Sequence, residues 1–215
     1  MIEINSLFII ITWIFIVIFS AIICRRFLPK EKELSRKIVH IGTGPIILLA
    51  WLLNISSQLA IPIASLITIA LIINNQFKLL PALEDVKRRS YGTVFYGVSI
   101  TILLIFLWPN NAAAVSAGVL IMAFGDGLAG LIGPKLNSPS WLIFGQKKSI
   151  LGTLIMALSS SIILILIATL NNEAISTVEI ILIASLATLL EQMGPWGIDN
   201  ITVPIGVAFA WILLN

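Results

Sequence analysis

All thirteen lysines and arginines of this 215-residue chain fall in three short segments, at positions 25–37, 78–89 and 135–148, and the long apolar runs between them carry none. A hydrocarbon core about 30 Å thick requires roughly 20 apolar residues per helical crossing. Basic residues collect in the cytoplasmic loops that join such crossings. Eight apolar stretches are legible: Leu7 to Cys24, Ile38 to Leu53, Leu59 to Ile73, Tyr91 to Trp108, Ala112 to Ile132, Ile150 to Leu170, Val178 to Leu190 and Ile201 to Leu214. The basic residues then occupy the first, third and fifth loops, and both termini are predicted outside the cytoplasm. One internal span more or fewer would scatter the charges over both faces.

At 59% hydrophobic and 11% charged residues, with mean hydropathy +1.08, the composition excludes an ordinary soluble domain. Alternation at period two is absent, which argues against a barrel. The expectation is an all-α, multi-pass integral membrane bundle of about eight helices, or seven if one of the short last stretches does not cross. It forms a single membrane domain over 1–215 with its active site at the cytoplasmic face. Topology accounts for the net charge of +3, and no nucleic-acid motif is present. Glu3 precedes the first apolar run and Arg25 and Arg26 come after it, the reverse of a signal peptide. The lone Cys24 allows no internal disulfide or thiolate cluster; it is read as a buried structural cysteine, with acylation at the bilayer edge the alternative.

Five polar clusters interrupt this apolar pattern. In "SRKIVHIGTGP", helical spacing gathers Arg36, Lys37 and His40 at one helix end, either as an interfacial anchor or as a phosphate pocket with His40 as donor or proton acceptor. In "EDVKRRSYGTVFY", Lys87, Arg88 and Arg89 precede hydroxyls at a helix start, where free N–H groups also favour an anion. "MAFGDGLAGLIG" places Asp126 within an apolar span. An intramembrane acid needs a cation, a cavity or a polar partner, so Asp126 is read as a magnesium-bearing carboxylate beside a nucleotide or as a buried packing contact. "FGQKKSILGT" is not a Walker A loop, yet Lys147 and Lys148 at a helix start can hold phosphates. In "LLEQMGPWGIDNITVP", Glu191, Asp199 and Asn200 could add metal ligands to Asp126 or brace the basic residues.

The order "RKIVHIGTGP", "RRSYGTVFY", "GDGLAGLIG", "KKSILGT" and "DNITVP" resembles the polyprenol kinase family, which includes phytol and dolichol kinases, and looks most like the phytol kinases. The similarity runs from about Ser35 to Pro204. It implies transfer of the terminal phosphate of a nucleoside triphosphate, usually CTP, to a long isoprenoid alcohol with magnesium, in phytol salvage or tocopherol and related prenyl-lipid synthesis. The implied nucleotide site comprises Gly125, Asp126, Gly127, Gly130 and Gly133 with Lys147, Lys148, Ser149 and Gly152. Arg36, Lys37 and Arg89 join it as phosphate-binding cations. Asp126, His40 and Lys148 are expected to act in the reaction, and Asp126, Asp199 and Glu191 to hold the metal. After Gly133 the chain departs from the family's paired basic residues, with Pro134, Lys135 and Leu136 instead. The partners implied are the alcohol, the nucleotide and the bilayer of a bacterial plasma or thylakoid membrane. Membrane cytidylyltransferase, isoprenyl-monophosphate kinase, and a small transporter with Asp126 as its ion site are the alternatives.

Overall fold

The computed structural model describes residues 2–79 and 91–215. Its helices coincide with the apolar stretches: α1 (Ile2–Phe27), α2 (Lys32–Thr43), α3 (Pro45–Leu52), α4 (Ser57–Phe77), α5 (Gly92–Leu107), α6 (Ala112–Ile132), α7 (Ile150–Asn171), α8 (Thr177–Gln192) and α9 (Asp199–Leu214). Four of these are long and apolar enough to cross a bilayer: Ile4–Phe27 within α1, and α4, α6 and α7; α5 and α9 are shorter apolar helices. Large apolar side chains such as Phe8, Phe15, Leu66, Phe106 and Leu158 face outward, as an integral membrane protein requires.

Helix α6 forms the centre. Without a hydrophobic driving force between helices in lipid, close packing depends on small residues, and α6 opens with "AAAVSAGVL", whose nine residues are all buried. Gly118 lies so close to α9 that a Cβ there would come within 2.3 Å of the Pro204 carbonyl oxygen. α6 packs on α3, α5, α7 and α9, and the outer pairs α1–α2, α4–α5, α7–α8 and α8–α9 complete the bundle.

Three local features depart from the simple span pattern. The second apolar stretch is divided at Gly44, where Pro45 removes a backbone donor; α2 before the break is amphipathic and α3 after it is apolar. In α6, Ile121–Asp126 winds as a π-helix between α-helical Ala112–Leu120 and Gly127–Ile132. One extra residue in a turn rotates the C-terminal half of the helix by about 100° relative to an uninterrupted α-helix. The loop expected before α7 contains an antiparallel hairpin, β1 (Ser140–Ile143) and β2 (Gln146–Ser149). Phe144 and Gly145 turn it with φ of 47° and 75°, the positive pair that a two-residue hairpin needs. The usual Asn-Gly or Asp-Gly signal is replaced by Phe-Gly, so composition alone did not announce it.

Candidate active site

At one end of the bundle, the second half of α6, the end of α8, the start of α9, α2 and the hairpin enclose a cavity of about 500 Å³. Asp126 stands at the last position of the π-turn. Its Oδ2 accepts a hydrogen bond from Lys37 Nζ at 2.7 Å, and the same ammonium donates to the Asp126 carbonyl at 3.1 Å. The Lys37 side chain is almost wholly buried, so an ammonium has been carried out of water and is matched by one acid. A Cβ on Gly130 would lie 2.9 Å from Lys37 Cε and 3.0 Å from Nζ; the missing side chain leaves the path along which Lys37 reaches Asp126.

The hairpin delivers the second lysine. Directly paired residues of an antiparallel ladder share a face and neighbours alternate, so Lys148 and Lys147 point to opposite sides. Lys148 turns inward and donates to the Glu191 carbonyl at 2.9 Å and to its carboxylate; Lys147 is exposed at the cavity's margin. Ser149 caps α7, its hydroxyl accepting from Gly152 N–H at 3.1 Å. The third acid, Asp199, opens α9. Single carboxylate oxygens of Asp126, Glu191 and Asp199 lie within 4.8 Å of one another. Glu191 and Asp199 stand outside the apolar stretches Val178 to Leu190 and Ile201 to Leu214. Burial raises the Glu191 carboxyl above its ordinary range, with Lys148 opposing. Burial, and after it the charge of Asp126, pushes Asp199 up to about 7. Two buried carboxylates and one half-buried one at this spacing repel one another, and such a set of hard oxygen ligands suits a divalent cation such as magnesium.

Of the sequence-predicted residues, Arg36, Lys37, Asp126, Gly130, Gly133, Lys147, Lys148, Ser149, Gly152, Glu191 and Asp199 line this one cavity. Arg36 pairs with Glu33 on its own helix. His40 does not line it. Its Nε2 lies 3.3 Å from Asp126 Oδ2 without the alignment of a hydrogen bond, and its ring packs at a tilt on Tyr96 at 4.9 Å, so it meets the cavity only through Asp126. Gly125 and Gly127 also serve packing: a Cβ would strike Met156 of α7 at 2.4 Å or Ile41 of α2 at 2.3 Å. Lys87, Arg88, Arg89 and Ser90 lie outside the described residues. Cys24 is buried.

The sequence reading did not single out Gln192, Gln146 or Tyr96. Gln192 Nε2 donates to Thr153 and to Glu191, both at 3.0 Å, tying α8 to α7. Gln146 reaches Gly194 from the hairpin at 3.4 Å. Alternation along β2 puts Gln146 on the face of Lys148, the one sequence-level signal available for it. Tyr96 closes the motif "RRSYGTVFY", but its place in an apolar helix gave no separate signal of a contact with His40.

Among curated proteins, the chain is 37% identical to a phytol kinase of Synechocystis over 207 residues, covering 93% of this chain and 88% of that protein. It is 26% identical to a probable chloroplastic phytol kinase 2 of Glycine max, over 86% of this chain and 66% of the relative. A chloroplastic farnesol kinase of Arabidopsis thaliana is 25% identical, over 86% of this chain and 67% of the relative. No family model matches the chain, and no solved structure does.

Proposed function

Because the chain belongs to the phytol kinase family, we propose that it phosphorylates phytol or a closely related long-chain isoprenoid alcohol, with CTP as donor and magnesium as cofactor. The observation that carries the reading is the near full-length similarity to a phytol kinase. The convergence of four separated motifs on one cavity supports it: "RKIVH", "GDGLAG", "KKS" and the Glu191–Asp199 region bring three acids and two buried or half-buried lysines together. In this reading eight segments cross the membrane, and the chain is one domain whose site opens to the cytoplasm, from which a soluble nucleotide arrives. The isoprenoid tail lies among the helices with its hydroxyl at the interface.

Phosphoryl transfer demands chiefly positioning and neutralisation of phosphate charge. Asp126, Glu191 and Asp199 hold the cation, whose chemistry when bound is to neutralise charge on the phosphate oxygens. Lys148 and Arg36 face the cavity as phosphate partners, with Lys147 at its margin. Lys37 holds Asp126 in place through its carboxylate and carbonyl together. His40 braces Asp126 from behind, and the hydroxyl proton goes to a carboxylate of the trio rather than to the imidazole, which the cavity does not reach.

The test supplies purified protein in detergent with magnesium, CTP labelled on its terminal phosphate, and phytol, geranylgeraniol or farnesol. Label in the organic phase with CDP released is the expected result. Release of pyrophosphate would identify a cytidylyltransferase, and no label on any alcohol from folded protein would overturn the kinase reading.

A further inference from the structure

Asn200 comes directly after Asp199 on the first turn of α9, lines the same cavity and is only 5% exposed. Its Nδ2 donates to the Gly197 carbonyl at 3.2 Å and to Asp199 Oδ1 at 3.0 Å, and its backbone N–H donates to that same Oδ1 at 3.1 Å. Those acceptors fix the amide's orientation, because a flipped group would set its oxygen against two other oxygens. Asn200 Oδ1 is thereby left buried and without a donor. A buried acceptor with no partner costs about 1–3 kcal/mol, and here it accompanies three converging carboxylates.

We infer that Asn200 Oδ1 is a fourth protein oxygen of the cation site formed by Asp126, Glu191 and Asp199. The inference rests on the reading of those three acids as a divalent-cation site. Magnesium takes six oxygens and keeps places for water and phosphate; three carboxylates and one amide leave two such places. A neutral amide adds a ligand without adding to the repulsion among the acids. The two amide hydrogen bonds also explain how one residue serves twice: Nδ2 and the backbone N–H immobilise Asp199, and the carbonyl oxygen ligates.

The experiment titrates Mn²⁺ alone, as the probe, into the full-length protein in detergent without nucleotide, with free Mn²⁺ counted by electron paramagnetic resonance. Wild type is expected to bind one ion. Asn200→Ala is expected to weaken binding about 10- to 100-fold, the usual scale for damage to a metal site's supporting groups. Asn200→Asp, which keeps an oxygen and adds a charge, binds at least as tightly as wild type. A residue that only braced the Gly197 turn would instead weaken binding in both variants, since both lose the donor to Gly197. If Asn200→Ala fails to fold in a thermal unfolding scan, Asn200→Asp alone decides: binding weakened tenfold refutes the assignment. Wild-type affinity in Asn200→Ala also refutes it and leaves the three-acid site standing. Absence of Mn²⁺ binding by wild type, or unchanged binding in Asp199→Asn, overturns the acid site itself and Asn200 with it.

Discussion

Gly130→Ala separates a glycine kept for chemistry from one kept for packing. The new Cβ would stand 2.9 Å from Lys37 Cε and 3.0 Å from Nζ. Carbon contacts settle at about 3.5–4.0 Å, so the lysine tail must retreat by roughly 0.6–1 Å. Nζ now sits 2.7 Å from Asp126 Oδ2, and a retreat of that size stretches the contact to roughly 3.3–3.7 Å, to or past the limit of a hydrogen bond. A charge-assisted hydrogen bond is worth about 1.5–3 kcal/mol. If the pair holds Asp126 in its working position, kcat/KM falls by about 10- to 150-fold, taking 1.4 kcal/mol per decade. The fold is expected to lose less stability than in Asp126→Asn, because the obstructed atoms are the far end of a flexible side chain, both charges remain, and alanine favours the helix over glycine by about 1 kcal/mol. Gly118→Ala is the contrast: its Cβ would meet the Pro204 carbonyl oxygen at 2.3 Å, and backbone cannot step aside. Steady-state kinetics of label transfer to phytol, with thermal unfolding in detergent, read both variants. Gly130→Ala with kcat/KM within twofold of wild type would refute the role given to the Lys37–Asp126 contact. Gly118→Ala with unaltered unfolding would refute the packing argument.

Asp126→Asn is expected to abolish turnover and also to lower the unfolding temperature, because it strands the buried Lys37 ammonium; the double variant Lys37→Met/Asp126→Asn should regain stability without regaining activity. Lys148→Ala should raise the apparent KM for nucleotide by at least tenfold with little change for the alcohol, and the opposite split would move Lys148 to the other substrate. In metal-free buffer, Asp199 contributes stability that is greatest below its unfolded pKa near 4 and is lost as pH rises through about 7, since the folded state holds the extra proton. Thermal unfolding from pH 5 to 8 should therefore decline without magnesium and flatten with it, and identical slopes with and without magnesium would remove Asp199 from the cation site.

The architecture was legible where a segment's own composition decides its fate. The fifth apolar stretch coincides with the span Ala112–Ile132, and its run of alanine and glycine marks it as the helix that others can approach most closely. The acids and lysines stood out because an apolar helix end has few reasons to carry them. Features set by pairing distant residues stayed hidden. Lys37 and Asp126 are 89 positions apart, and nothing in "RKIVH" tells which of its three cations will meet the acid. Spacing groups Arg36, Lys37 and His40 at one helix end, but packing against α6 turns Lys37 inward to Asp126, leaves Arg36 on Glu33 and places His40 behind the acid. The π-turn and the Phe144–Gly145 hairpin are backbone choices without a compositional signature here.

The two inward lysines share a geometry that bears on how the site works. Each grips one acidic residue twice, by carboxylate and by main-chain carbonyl: Lys37 on Asp126 and Lys148 on Glu191. Asp199, among the described residues, pairs with no cation and accepts only from Asn200. With every acid ionised, the four carboxylates that line the cavity, Glu33, Asp126, Glu191 and Asp199, are balanced by four cations, Arg36, Lys37, Lys147 and Lys148. A bound divalent cation would turn that balance to plus two. On the proposed reading the pocket would then attract a phosphate, and cation binding would favour nucleotide capture through charge. On the proposed reading Lys148, carried on a two-stranded hairpin, would leave its acid for the phosphate, whereas Lys37, buried where α2 packs on α6, would stay. Fixing the hairpin by a disulfide between cysteines substituted for Ser140 and Ser149, directly paired at its base, should therefore leave Mn²⁺ binding unchanged while slowing turnover relative to the same variant reduced, the reference that takes account of the α7 cap lost with Ser149. Full turnover in the oxidised variant would show that Lys148 needs no such freedom.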